Sequence, residues 1–65
     1  MLFNINEITA GAVIPVVGNV TLGDALVYVA KGGLITLEAD LDNPDHYDVL
    51  TKEGAQYTIE PVKGE

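Results

Sequence analysis

Apolar and polar residues alternate most regularly between Leu34 and Asp42. One face of an extended chain would carry the apolar side chains, namely Ile35, Leu37, Ala39 and Leu41. The other face would carry Thr36, Glu38, Asp40 and Asp42. A period of two residues with one polar face is typical of a strand in an antiparallel sheet that is half exposed to water. We therefore predict a strand from Leu34 to Asp42.

The residues after this strand predict a turn and then a hairpin. Asn43-Pro44 is a strong turn-forming pair. Two extended stretches follow, Tyr47 to Thr51 and Ala55 to Pro61, and Lys52-Glu53-Gly54 separates them. A three-residue connection that contains glycine is typical of a β-hairpin, with the glycine in a left-handed bulge position. Tyr57 lies in the middle of an alternating stretch, so we expect it to pack in the core.

The first twenty residues are almost uncharged and favour extended structure. Residues 2–8 alternate with a period of two and predict a short strand. Residues 10–20 form a β-branched stretch with Pro15 near its middle. Because proline has no N–H to donate to a neighbouring strand, this stretch is either an edge strand or an arm that lies on another molecule. We interpret the chain as a single small domain, 1–65, in which residues 1–20 form an apolar N-terminal arm or edge strand.

Residues 21–31 are compatible with two structures. As a helix, Thr21 is the N-cap, Asp24 has the capping-box spacing, and Gly32 ends the helix in a left-handed conformation. The alternative is a strand from Ala25 to Lys31, with Gly32-Gly33 as a two-residue hairpin turn into the next strand. We favour the helix. The expected fold is therefore mainly β, a small antiparallel sheet or partial barrel with one short helix at 21–31, and α+β is the alternative.

Composition excludes several kinds of chemistry. The chain has 65 residues and no cysteine, which excludes disulfides, thiolate zinc sites and thiol catalysis. Its one histidine excludes a two-histidine metal site within one chain, and it contains neither serine nor a glycine-rich phosphate loop. A domain of this size rarely encloses a ligand pocket of about 300 Å³ or more. We therefore expect neither enzymatic activity nor a cofactor.

Charge is strongly negative and unevenly distributed. Ten acidic residues and three lysines give a net charge of −7, of which −1 falls in residues 1–37 and −6 in residues 38–65. Nucleic acids and anionic membranes bind basic surfaces, so we expect neither as a direct partner. No run of eighteen apolar residues predicts a membrane span. The first residues do not resemble a signal peptide, which is consistent with a cytoplasmic origin.

An acidic cluster lies between residues 40 and 48 and surrounds His46. Oxygen-rich loops of this kind bind Ca²⁺ in some proteins, which makes four residues the candidates for a divalent cation: Asp40, Asp42, Asp45 and Asp48. The EF-hand pattern does not fit, because its sixth position holds Asp45 instead of glycine and its twelfth holds Thr51 instead of glutamate. We favour a solvated acidic turn over a metal site, with His46 as an ordinary loop residue. The alternative is a weak divalent-cation site at a place where two chains meet.

The apolar side chains of the N-terminal half are the candidates for a partner interface. They are Leu2, Phe3, Ile5, Ile8, Val13, Ile14, Val16 and Val17. If all of them were exposed on one molecule, they would form a larger apolar patch than a soluble protein usually tolerates. We therefore predict that this half of the chain contacts another protein.

Two segments carry a resemblance to a known class of proteins. Residues 11–17 read GAVIPVV and residues 20–33 read VTLGDALVYVAKGG, in a short chain without cysteine and with an acidic second half. With these features, the chain resembles the small capsid decoration (cement) and accessory virion proteins of tailed bacteriophages. The resemblance implies a non-enzymatic structural protein that binds the major capsid protein or another assembly subunit and stabilises the shell. It also implies a homo-oligomer or many copies on a symmetric shell, located in a virion assembled in the host cytoplasm. Outside a virion, we expect a cytoplasmic protein.

Two other functions are compatible with the sequence. The first is a small acidic inhibitor that mimics nucleic acid and binds a basic partner protein through Glu38, Asp40, Asp42, Asp45, Asp48 and Glu53. Carboxylates at alternate positions of a strand lie about 7 Å apart, which suits such mimicry. Glu38, Asp40 and Asp42 have this spacing. The second is a β-grasp or barrel-like adaptor domain of a cellular complex.

Overall fold

Five antiparallel strands form one sheet, and a helix packs on one of its faces. A computed structural model describes residues 1–31 and 33–63. The elements in chain order are β1 (Phe3–Thr9), β2 (Ala12–Val20), α1 (Leu22–Ala30), β3 (Ile35–Ala39), β4 (Tyr47–Thr51) and β5 (Gln56–Pro61). The order across the sheet is β2-β1-β5-β4-β3, and each neighbouring pair is antiparallel. The predicted mainly-β class with one short helix is confirmed.

A tight hairpin joins β1 to β2. Thr9 pairs with Ala12, so only Ala10 and Gly11 form the connection, and both have positive φ angles of 50° and 78°. Two residues with positive φ are the signature of a type I′ turn, whose twist matches that of the two strands. β2 lies at the edge of the sheet. An edge position is where a strand tolerates proline, and Pro15 lies in this strand.

β2 is bulged twice against β1. The register passes from Asn6 opposite Pro15 to Ile5 opposite Val17, and then to Phe3 opposite Val20. Each step leaves one extra residue in β2, which bends an edge strand and increases its twist.

The helix α1 is confirmed, and the alternative of a strand from Ala25 to Lys31 is wrong. The backbone N–H of Asp24 donates to Oγ1 of Thr21 at 3.2 Å, as the predicted cap requires. The helix ends at Lys31, which adopts a left-handed conformation and donates its N–H to the carbonyl of Val27 at 3.1 Å. The predicted left-handed cap at Gly32 lies outside the described residues.

The hydrophobic core lies between α1 and the central strands. Its buried members are Phe3, Ile5, Ala25, Val29, Val49, Tyr57 and Ile59. Ile5 lies directly opposite Ile59, and side chains that oppose each other in an antiparallel pair share a face. The Tyr28 ring meets Tyr57 edge-on, with 6.3 Å between the ring centroids. The expected core position of Tyr57 is confirmed.

β3 is shorter than the alternation predicts. It ends at Ala39, which pairs with Tyr47, the first residue of β4. Beyond this point the chain turns, because Oδ1 of Asp40 accepts a hydrogen bond from the N–H of Asp42 at 2.9 Å. Leu41 is therefore 97% exposed and does not continue the apolar face. The prediction of a strand as far as Asp42 is wrong at its C-terminal end.

The predicted hairpin of the C-terminal third is confirmed. β4 and β5 pair antiparallel, and the N–H of Thr51 donates to the carbonyl of Ala55 at 2.9 Å across the turn. Gly54 has a φ of 90°, the left-handed conformation expected of it. At the C-terminal end, the N–H of Val62 donates to the carbonyl of Leu2 at 2.9 Å, which fixes the residue after β5 beside β1.

We expect Thr21→Ala to lower the free energy of unfolding by about 1 kcal/mol, because the N–H of Asp24 loses its acceptor at the helix start. Urea denaturation followed by circular dichroism measures the change. Thr21→Ser keeps the hydroxyl and is the matched control. Equal losses in the two variants would show that the cap does not hold this helix.

We expect Ile59→Val to lower the free energy of unfolding by about 0.5–1.5 kcal/mol, because it removes a methylene from a side chain with no exposure. The exposed Leu41→Ala should change it by less than about 0.5 kcal/mol. Both values come from the same urea titration. A larger loss for Leu41→Ala would contradict the described core.

Candidate functional site

The structure separates the eight apolar residues proposed as a partner interface. Phe3 is 6% exposed and Ile5 is fully buried, so both belong to the chain's own core. The reason is topological, because β1 lies between β2 and β5 in the interior of the sheet. Residues 1–20 are therefore not one arm: β1 is an inner strand, and only β2 is an edge strand.

The remaining six residues lie on both faces of the sheet. Leu2 and Ile8 are half-buried, while Val16 and Val17 are half-buried and pack against the core. Val13 pairs with Ile8, whereas Ile14 pairs with Glu7 in the next position. Neighbouring residues of a strand point to opposite faces. The eight side chains consequently do not form one continuous patch.

The end of the β1–β2 hairpin remains uncovered. Every residue from 9 to 15 is exposed and none is charged, and we call this segment the hairpin end. Val13 is 61% exposed and Ile14 is 42% exposed. Among the described residues, no strand pairs with the outer side of β2. An uncovered edge strand with apolar side chains is a template for pairing with another chain.

The sheet face opposite α1 is the second candidate surface, which we call the open face. Strand register places Ile8, Gln56, Leu50 and Thr36 in one row across it. The neighbouring row contains Asn6, Thr58, Asp48 and Glu38. A groove of about 300 Å³ runs over these rows between β1 and β3. The groove is open to solvent and combines apolar and acidic side chains.

Hydrogen bonds organise the part of the open face next to the groove. Asn6 is only 8% exposed, and its Nδ2 donates to Oγ1 of Thr58 and to Oε1 of Glu60, each at 3.3 Å. On the other side, Oδ1 of Asn4 accepts the N–H of Asn19 at 3.4 Å in the bulged part of β2. These contacts cross from β1 to both of its neighbours. They hold the open face to one arrangement of strands.

Two carboxylates face each other at the acidic end of the groove. Glu38 of β3 lies directly opposite Asp48 of β4. The five strands contain four acidic residues and no basic residue, since all three lysines lie outside them. Lys31 lies on the Tyr28 ring, with its Nζ 5.3 Å from the ring centroid. Like charges directly opposite each other in a sheet are destabilising.

Sequence reasoning did not find this carboxylate pair. It placed Glu38 in a row with Asp40 and Asp42 along one strand, but β3 ends before either aspartate. The Glu38–Asp48 pair depends on the register between β3 and β4. That register is set by an irregular loop, and no local pattern of residues indicates it.

The four candidate ligands of the predicted acidic turn are divided between a strand and a loop. Asp48 lies in β4, whereas Asp40, Asp42 and Asp45 lie in the preceding loop. Within residues 1–31 and 33–63, no three histidine or acidic side chains come together as ligands would. The backbone of His46 closes the loop, because its N–H donates to the carbonyl of Asn43 at 2.8 Å and its carbonyl accepts from Asp40 at 2.9 Å.

We expect Glu38→Gln and Asp48→Asn each to raise the free energy of unfolding by about 0.2–1 kcal/mol at low ionic strength, because each removes one of two opposed charges. Urea denaturation measures the gain. It should shrink in high salt, which screens exposed charges. Asp45→Asn removes the same charge from the loop and should give a smaller gain. An equal gain from Asp45→Asn would assign the effect to net charge alone.

No described helix has the length and apolar character needed to cross a bilayer. Comparison of the chain with protein-family models, with curated proteins and with solved structures finds no match. The resemblance to capsid decoration proteins therefore stays a prediction. The hairpin end and the open face are the two candidate binding surfaces that the structure presents.

Proposed function

We propose that this protein is a non-enzymatic subunit of a larger protein assembly and that it attaches through the hairpin end. One observation carries the proposal: residues 9–15 are exposed and uncharged, and residues 12–15 lie on the edge strand β2, whose outer side no described strand pairs. The hairpin end belongs to an uncharged run, residues 8–23, in a chain with a net charge of −7.

The part of the hairpin end before Pro15 lacks the usual protection of an edge strand. Natural proteins protect such edges with charged side chains, proline, bulges or a covering element. Here Pro15 and the two bulges after it protect only the second half of β2. Between Ala12 and Ile14 the strand has no charge and no cover. A partner that covered this segment would bury Val13 and Ile14 and gain the hydrophobic contribution of both side chains.

The setting that we propose is a viral capsid or a similar symmetric shell. It rests on the resemblance of residues 11–17 and 20–33 to the decoration proteins of tailed bacteriophages. In that setting the hairpin end contacts the capsid protein, and many copies of the chain stabilise the shell. The acidic residues between positions 38 and 53 lie in the second half of the sequence and are exposed.

We favour this function over the acidic mimic of nucleic acid. The mimic requires carboxylates at regular spacing along one strand. Of Glu38, Asp40 and Asp42, only Glu38 lies in a strand. The regular row on which the mimic depends is therefore not formed.

The proposal predicts that Val13→Lys/Ile14→Lys abolishes incorporation into particles. Each lysine would place a charge in a contact that is otherwise apolar. The tagged chain is expressed in the organism that encodes it, and lysates are fractionated on a density gradient. Wild-type chain should sediment with large protein particles, whereas the double variant should remain in the slow fractions.

Leu41→Lys is the matched control, because Leu41 is equally apolar and 97% exposed but distant in sequence from the hairpin end. It should sediment as wild type does. Circular dichroism verifies that each variant is folded. Deleting residues 1–8 is not a suitable test, since it removes most of an inner strand. Wild-type chain found only in the slow fractions would refute an assembly subunit, and equal incorporation of the double variant would refute the hairpin end as the contact.

A further inference from the structure

We propose that the groove on the open face binds an arginine side chain of a partner protein. Its position differs from that of the hairpin end, and the proposal does not depend on a capsid as the partner. Within residues 1–31 and 33–63 no helix lies over the open face, and the strands β1, β5 and β4 are each paired on both sides. The open face is therefore an uncovered surface on fully paired inner strands.

The groove has two chemically different parts. Leu50 is 46% exposed at its centre, and Ile8 is half-buried at the β1 side. Glu38 and Asp48 lie at the other end, where β3 and β4 pair. The volume of about 300 Å³ is sufficient for one long side chain and its charged group. An occupant must therefore be apolar along its length and positively charged at its tip.

Charge complementarity identifies the occupant as a cation. The five described strands contain no basic residue. No side chain of the sheet can therefore place a positive charge between Glu38 and Asp48. A positive group that approaches both carboxylates offsets the repulsion between them. A cation that binds here gains two attractions and removes one repulsion.

Arginine meets these requirements better than lysine does. Its planar guanidinium has five N–H donors and contacts two carboxylates in one plane. Its three methylenes cover apolar surface while the charged group reaches polar partners. In the groove the methylenes would pack on Leu50, and the guanidinium would lie between Glu38 and Asp48. Gln56, in the same row as Leu50, offers an amide oxygen as a further acceptor.

The test uses the purified full-length chain and a capped tripeptide, acetyl-Leu-Arg-Leu-amide, followed by amide chemical shifts in NMR spectra. Near physiological salt of about 0.15 M, non-specific attraction to the net negative charge is screened. We expect saturable shifts at residues 36–38, 48–50 and 56. The same peptide with citrulline in place of arginine is isosteric but uncharged, and it should bind at least about tenfold more weakly.

Two variants of equal charge separate a site from general attraction. Glu38→Gln/Asp48→Asn removes both carboxylates of the groove and should weaken binding of the arginine peptide at least about tenfold. Asp42→Asn/Asp45→Asn removes two charges from the exposed loop and should leave binding within about twofold. Shifts that do not saturate, or equal losses in both variants, would overturn the proposal. Because the hairpin end is intact in all of these proteins, failure here leaves the proposed attachment untouched.

Discussion

A nine-residue helix must cover a sheet of five strands, and this mismatch determines the surface of the protein. The helix has nine residues, and most of its contacts with the sheet are to the inner strands β1 and β4. One row of side chains on the helix side shows the consequence. Tyr57 and Val49 in its middle are buried, but Ile14 and Leu37 at its two ends are 42% and 41% exposed. Along this row, burial decreases from the strands beneath α1 toward both edges of the sheet.

The uncovered edges differ in chemistry, because the chain places its charges unevenly. The edge strand β2 has no charged residue, whereas β3 at the other edge and its neighbour β4 carry the opposed Glu38 and Asp48. The central strands β1 and β5 separate these two edges and supply most of the buried sheet residues. A small domain therefore presents an apolar edge and an acidic edge on opposite sides of one core.

The local elements of the fold could be predicted from the sequence, and the long-range arrangement could not. Thr21 and Asp24 are three residues apart, so the start of the helix is a property of one short segment. The same is true of the turn at Gly54. The end of β3 depends instead on where β4 begins, because Ala39 is the last residue with a partner. No alternation pattern contains that information, and Leu41 continues the pattern without continuing the strand.

The candidate surfaces were only partly predictable for the same reason. Val13 and Ile14 are exposed because they lie in an edge strand, and Pro15 in the sequence indicates that β2 is such a strand. Burial of Phe3 and Ile5 follows from the inner position of β1, which depends on β5, more than fifty residues away in sequence. Pairing of Glu38 with Asp48 likewise depends on register between strands. Composition showed that an apolar half and an acidic half exist, but only topology shows which of their residues reach the surface.

Val13 lies where the hairpin end meets the open face. It lies opposite Ile8, whose row continues across the open face through Gln56 and Leu50 to Thr36. A partner that covers the hairpin end on this side of the sheet would thus meet apolar side chains first and carboxylates at the far edge. Apolar contact contributes affinity, whereas a charged pair at a defined position fixes orientation. A chain with both on one sheet face has the means to bind a partner in a single orientation, which a repeated subunit of a symmetric assembly requires.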